Sequence, residues 1–437
     1  MLFRVFTALL LAGCVILSVS GADKTPAGDK KTAPMIEEDA YTPLSEFLAA
    51  LAIIRTHYVD QDKVSWKKLF QASLRGLMHE LDPFSVYESP EEFKTMQENV
   101  SGKKVGIGVT LTMRARGLHI VSVTPKGPAE QAGLKAGDVV LEIDGAEVSS
   151  MDMDEAVSRI RGEEGTETLL RIYRPSDDVT KNFRVTRRML TISSILGEKI
   201  IPDSGGTAYI RVLQFGRETA DEFDKALRQL SSQGMTALIV DLRNNPGGLL
   251  SAVVPMCSRF LPPDKPIVSI EGRGDRRSVI SSPKTVPLRF TDLPLVVLIN
   301  GNSASASEIF AACMRDYKRA VLIGERSFGK GSVQTLIPFG EKNGAMRLTT
   351  ARYFTPGRHP IHGHGIEPDI RVPLSPAVRN RLSMQLNMHP GELNMLMRDP
   401  VRDIALERAL EILKGLRIFR SSHTQEPNEP NAKGAMK

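Results

Sequence analysis

"RAVLIGERSFGKGSVQTLIPF", residues 319–339, comes within one residue of a phosphate-binding loop, and the job of its lysine decides the fold. A phosphate cradle reads G-x-x-x-x-G-K followed at once by Ser or Thr. Gly324, Gly329 and Lys330 fit, but Gly331 comes next and Ser332 arrives one position late, so the hydroxyl that would hold magnesium is misplaced. The flanks are decisive. "RAVLIG" reads as a strand, and "SVQTLIPF" alternates like a second one. A cradle needs a helix there, because the helix N-terminus supplies amides and positive dipole to the phosphates. Nucleotide chemistry is set aside, and Lys330 is expected in a turn between two strands.

On the N-terminal side of that turn, strands alternate with helices. "GTAYIRVLQF" precedes "ETADEFDKALRQLSSQ", "ALIVDLR" precedes "GLLSAVVPMCSRFL", and "LPLVVLIN" leads into "SASEIFAACMRDY". Such alternation predicts a layered α/β core, placed at residues 189–376. Before it, 103–188 change to short strands and turns with one helical stretch, "SMDMDEAVSRIRG". Residues 41–102 recur at three and four, as helices do, and Ser89-Pro90 with Glu91 and Glu92 marks a fresh helix start. A helix is expected in "VRDIALERALEILKGL" within 377–420, and 421–437 read as a disordered polar tail. Met-rich spacing at 377–398 suggests a packing or self-association surface, so a homo-oligomer is an open expectation.

The chain has 437 residues, 41% hydrophobic and 25% charged, an ordinary globular balance. Its net charge of +6 is spread along the chain, not gathered in a stripe, which argues against a nucleic-acid partner. Residues 1–22 have a positive start, an apolar run and small residues before Asp23, the layout of an export signal; 23–40 read as a polar tether. Within the leader "LAGC" resembles a lipobox. Cleavage after Ala22, lipidation at Cys14 and an uncleaved anchor all stay open, and with them a membrane attachment. The expected location is the periplasm or cell envelope. Cys257 and Cys313 lie in apolar helical stretches and are read as buried free thiols.

Four stretches carry chemistry. "GIGV", Gly106 to Val109, followed by "GPAEQAGLKAGDVVLEIDG", resembles a PDZ domain, which captures a free C-terminus by strand addition; the amides of Gly106, Ile107 and Gly108 would hold the carboxylate. "NGNSASASEIF" ends a strand and starts a helix near Ser305, exposing a hydroxyl beside helix-terminal amides, although serines in such turns are also ordinary caps. "DLRNNPGG" ends another strand in a glycine turn able to aim an amide. A serine nucleophile needs a base, and no histidine lies near it in sequence. His359, His362 and His364 sit in a Pro/Gly loop without the i, i+4 register of a helical metal pair and are read as structural. Lys330 can serve if an apolar pocket, expected from "RAVLIGERSF" and "SVQTLIPF", lowers its pKa from about 10.4 towards neutrality.

Together these pieces resemble the C-terminal processing, or tail-specific, peptidase family, Ser/Lys endopeptidases with a PDZ domain. "LDPFSVYESPEEF", "GIGV", "DLRNNPGG", "SASASEIF", "GERSFGKGSVQ", "YFTPGRHPIHGHGIEPDI" and "LERALEILKG" occur in family order over about residues 45–415. The resemblance implies a mixed α/β fold: an N-terminal helical region, an inserted β-sandwich-like PDZ domain and a layered α/β protease core. It implies Ser305 as nucleophile, Lys330 as base and Gln334 as the residue orienting the lysine amine. Ala306 and a glycine of "NPGG", Gly248 in preference to Gly247, would be the oxyanion donors. The implied partners are proteins with accessible C-terminal tails, and the implied mechanism needs no metal or other cofactor. The alternative reading, an inert PDZ adaptor or chaperone, predicts tail binding with no fragments on a gel.

Overall fold

The computed structural model describes residues 38–423, apart from 102, 115–116, 192, 275, 339–343 and 388–398. The leader with Cys14, the tether up to residue 37, residues 388–398 of the Met-rich stretch and the tail beyond 423 lie outside it. Among the described residues no helix is long and apolar enough to cross a membrane.

The N-terminal region forms α1 (Tyr41–His57), α2 (Trp66–Leu81), a short strand β1 (Val86–Glu88) and α3 (Pro90–Ser101). Ser89 and Glu92 close a reciprocal cap on α3: the Ser89 N–H donates to Glu92 and the Glu92 N–H to the serine hydroxyl. The chain then runs through β2 (Lys103–Gly106), β3 (Val109–Arg114), β4 (Gly117–Val123), α4 (Pro128–Gln131), β5 (Val139–Ile143), β6 (Ala146–Glu147), α5 (Met153–Ile160), β7 (Glu167–Arg174), β8 (Val179–Thr186) and β9 (Arg188–Thr191). Strands β2 and β9 pair antiparallel as a stem, and between them hangs a sheet in the order β3-β4-β5-β7-β8, with β6 on β5. "VGIGVTLTM" is thus two strands broken at Ile107 and Gly108. This unit has its own core, including Ile107, Leu118, Ile120, Val140, Ile143, Leu170 and Ile172.

The remainder comprises β10 (Ile195–Ile200), β11 (Thr207–Val212), α6 (Thr219–Ser232), β12 (Ala237–Asp241), α7 (Leu250–Ser258), β13 (Pro266–Gly272), β14 (Arg277–Ser281), β15 (Leu295–Ile299), α8 (Ala306–Asp316), β16 (Val321–Gly324), β17 (Ser332–Pro338), β18 (Ala345–Phe354), β19 (Ile370–Arg371), α9 (Pro376–Asn387) and α10 (Ile404–His423). A sheet in the order β10-β11-β12-β15-β16-β19 is parallel from β11 to β19. Its middle strands are buried along their whole length, which is why "ALIVD" and "LVVLI" read as unbroken apolar runs. Helices α6, α7 and α8 cover one face, where Phe223, Phe260 and Phe310 meet edge to face. Helix α10 covers the other through Ala405, Ala409 and Leu413. Cys257 and Cys313 are buried, free and adjacent between α7 and α8, and burial followed by the contact with Cys313 pushes the Cys257 thiol well up.

The strand-to-strand setting expected of Lys330 holds, and the tail needs correction. Strands β16 and β17 do flank Lys330, but they belong to different sheets: β17 joins an antiparallel sheet in the order β1-β18-β13-β14, pairing with β18. The lysine loop therefore passes from one sheet to the other. The tail read as disordered from 421 is helical up to His423, because α10 continues three residues further.

Candidate active site

Strands β12, β15 and β16 lie side by side and parallel, so the loops leaving their carboxyl ends meet at one end of the sheet. Those loops are "RNNPGG", "NGNSASAS" and "ERSFGKG". Ligands bind at this end of open α/β sheets.

The first two loops are stitched by Asn245. Its Nδ2 donates to Val212 O and its Oδ1 accepts the Gly247 N–H at 2.8 Å. Its carbonyl accepts both the Ala304 N–H and the Ser307 hydroxyl. Ser303 donates its hydroxyl to Leu242 O at 2.8 Å. Two of the three serines are therefore spent on main-chain carbonyls. Ser305 differs. Its Oγ is buried and has no hydrogen-bond partner among the described residues. Its backbone lies at φ 57°, ψ −113°, a conformation costing a non-glycine residue about 1–3 kcal/mol.

Gly247 presses against the serine. At φ 102°, a Cβ there would come within 2.7 Å of Ser305 Cβ and 2.9 Å of Ala306 N, so only glycine fits. Gly248 bridges to Phe215, where a Cβ would lie 2.2 Å from the Phe215 carbonyl oxygen.

The third loop is bound to the second by a residue that sequence reasoning missed. Glu308 is fully buried, and its carboxylate accepts four donors. Oε2 takes the Ser305 and Lys330 N–H groups, each at 2.8 Å; Oε1 takes Gly329 N–H at 2.7 Å and the Ser327 hydroxyl at 2.6 Å. One oxygen thus holds the main chains of both Ser305 and Lys330. Half of a capping box is made: the Glu308 N–H goes to the Ser305 carbonyl, which leaves the hydroxyl free. The spacing Ser305-x-x-Glu308 is the signal available in sequence; its second task needed the fold.

Lys330 is largely buried, and its Nζ lies 4.9 Å from the centroid of the Phe84 ring. The aromatic beside the amine thus comes from the N-terminal region and not from the flanking strands. Phe328 and His362 meet that ring edge-on, at 6.5 and 6.0 Å. Gln334 donates its Nε2 to Ser332 and Thr349, each at 3.0 Å, while its Oε1 is buried without a hydrogen-bond partner among the described residues. Of the histidines, His362 packs its main chain on Gly331, and desolvation followed by Arg352 holds its imidazole below the ordinary value. His364 folds its ring back on the His362 carbonyl, and His359 donates its N–H to Thr355. Among the described residues no group of three or more His, Cys, Asp or Glu side chains could hold a metal.

Gly106, Ile107, Gly108 and Val109 join the stem to β3. Ile107 O accepts from Ala129 N and Gly108 O from Thr124 N, which fixes the turn. Strand β3 is an outer strand of its sheet.

Comparison with known proteins agrees with this geometry. The model of peptidase family S41 matches residues 206–372, and a PDZ-domain model matches residues 119–174. A carboxy-terminal-processing protease of Bartonella bacilliformis is 34% identical over 419 residues, which are 90% of this chain and 93% of its own. A probable CtpA-like serine protease of Staphylococcus haemolyticus is 34% identical over 366 residues, 83% of this chain and 72% of its own. Among solved structures, a putative S41 protease from Bacteroides fragilis has a similar fold, with a TM-score of 0.54 at 17% identity over 89% of this chain and 100% of its own.

Proposed function

We propose that this chain, which belongs to peptidase family S41 and is a C-terminal processing serine protease with a PDZ domain, cuts protein tails with Ser305 as nucleophile and Lys330 as general base. The observation that carries the assignment is the unequal fate of three hydroxyls: Ser303 and Ser307 are bound to carbonyls, and Ser305 alone of the three is left free, at a strained helix entrance. Neutral Lys330 takes the Ser305 proton as Oγ attacks the scissile carbonyl, and gives it to the leaving amine. Water, deprotonated by the same amine, then releases the acyl group. Gln334, anchored through its Nε2, keeps Oε1 available to receive the lysine.

The oxyanion is received by the Ala306 N–H and one amide of the glycine turn. Gly247 has its N–H engaged by Asn245, which favours Gly248 as that donor. The substrate tail adds to β3, with its carboxylate at the Gly106–Val109 turn. The apolar leader at residues 1–22 supports a site of action in the periplasm or cell envelope.

Ser305→Ala and Lys330→Arg should each lower turnover of a tailed protein by roughly three orders of magnitude or more with the melting temperature nearly unchanged. Arginine keeps its proton and cannot serve as base. Turnover by either variant near the parent rate would remove that residue from its role.

A further inference from the structure

The turn Asp82-Pro83-Phe84-Ser85 is far from the dyad in sequence, yet it touches Lys330 and, through Thr349, reaches Gln334. Its shape is fixed internally: the Asp82 carboxylate accepts the Phe84 N–H at 2.7 Å, and the Ser85 N–H and hydroxyl at 2.8 Å each. Strand β1 follows at once and pairs with β18, Val86 opposite Arg347, with a buried Glu88–Arg347 ion pair at 3.2 Å. The turn is therefore part of the protease core, although α2 delivers it.

Two contacts reach from this turn into the site. The Phe84 ring seats the Lys330 Nζ, and is itself braced by Phe328 and His362. Separately, the Ser85 hydroxyl accepts the Thr349 N–H at 3.1 Å, and Thr349 Oγ1 accepts the Gln334 amide at 3.0 Å. That second chain orients an amide whose oxygen is left over for the lysine.

We propose that the 82–85 turn is the positioning element of the dyad: Phe84 confines the lysine amine, and Ser85, acting through Thr349, sets the Gln334 amide. This rests on the Ser305/Lys330 reading above. A lysine stem has four carbons and many rotamers, so an amine that must meet a hydroxyl needs a wall. A ring face suits it, because it attracts the amine while it carries the proton taken from Ser305 or from water. Neither residue touches substrate in this scheme; both act through Lys330.

The test compares the full-length protein with Phe84→Leu, Phe84→Tyr, Ser85→Ala, Gln334→Ala and the Ser85→Ala/Gln334→Ala double variant, each checked for an unchanged melting temperature. Phe84→Leu keeps apolar bulk but loses the ring, and kcat and the rate of labelling by a fluorophosphonate should both fall roughly 10- to 100-fold, with KM steady. Phe84→Tyr should restore both. Ser85→Ala should lower kcat in the parent but add nothing when Gln334 is already Ala. Phe84→Leu at parental kcat, or Ser85→Ala with its full effect in the Gln334→Ala background, would overturn the proposal while Ser305→Ala stays inactive. Activity in Ser305→Ala would instead remove the dyad reading on which the proposal stands.

Discussion

Glu308 shows how one buried carboxylate can fasten two loops together. Its two oxygens offer about four acceptor positions, and donors from Ser305, Ser327, Gly329 and Lys330 fill them. Glu308→Gln puts an NH2 group where only acceptors serve. Leaving buried donors unmatched costs about 1–3 kcal/mol, and misplacing the proposed dyad should lower kcat roughly 100-fold. Burial pushes the Glu308 pKa above its ordinary 4.5, against the pull of those four donors. A carboxyl that binds its proton more tightly folded than unfolded favours the fold in acid, and loses that contribution as pH rises through its raised pKa. Wild type should therefore gain stability over Glu308→Gln as pH falls from the raised value to 4.5, and the difference should be level above it. Urea midpoints of both proteins across that window measure this, and a gap independent of pH would refute it. Gly247 is the complementary case, where a side chain must be absent: Gly247→Ala drives a methyl into Ser305 and should abolish labelling of the serine by a fluorophosphonate.

Among the elements, α10 is fastened to the root of the glycine turn by charge as well as by packing. Asp403 caps the helix through Leu406 N–H and pairs with Arg243 at 2.8 Å. Arg243 also pairs with Asp241 at 2.6 Å, and Asp241 accepts the Tyr209 hydroxyl. Burial would raise Asp241, but Arg243 outweighs it and holds the carboxyl below its ordinary value. Asp403→Asn keeps a cap yet leaves a buried guanidinium with less countercharge, at a cost of about 1–3 kcal/mol. Faster hydrogen exchange in α10 than in α6 would reveal it, and uniform exchange would speak against such an anchor. The elements themselves were largely legible in sequence, because buried parallel strands read as apolar runs and their covering helices repeat at three and four. What the pattern could not carry was partnership. Alternation marks "SVQTLIPF" as a strand but not the sheet that takes it, and "LDPFS" marks a turn but not the lysine it faces. Ser305 was reached by resemblance, and only the bonds of Ser303 and Ser307 show physically why the middle hydroxyl is the free one.

For the whole molecule, the separation of cores decides how damage spreads. The PDZ unit packs about its own cluster and is joined to the rest through the β2–β9 stem, whereas the protease sheet is covered on both faces by other residues. A lesion at the proposed tail-binding turn should therefore leave the chemical site working. Gly108 offers such a lesion. It sits at φ 80°, and a Cβ there would lie 3.1 Å from Thr124 Cβ. Gly108→Val is strained in that conformation and should distort the amides proposed to receive a carboxylate. We expect KM for a protein substrate with a free C-terminus to rise roughly 10-fold, equivalent to about 1.4 kcal/mol of binding. The same substrate with an amidated C-terminus should show little difference between parent and variant, since neither then has a carboxylate to hold. Fluorophosphonate labelling of Ser305 should proceed at the parent rate. If KM is unchanged for the free tail, recognition lies elsewhere; if labelling falls in step with turnover, the PDZ unit acts on the dyad itself and the two cores are energetically joined.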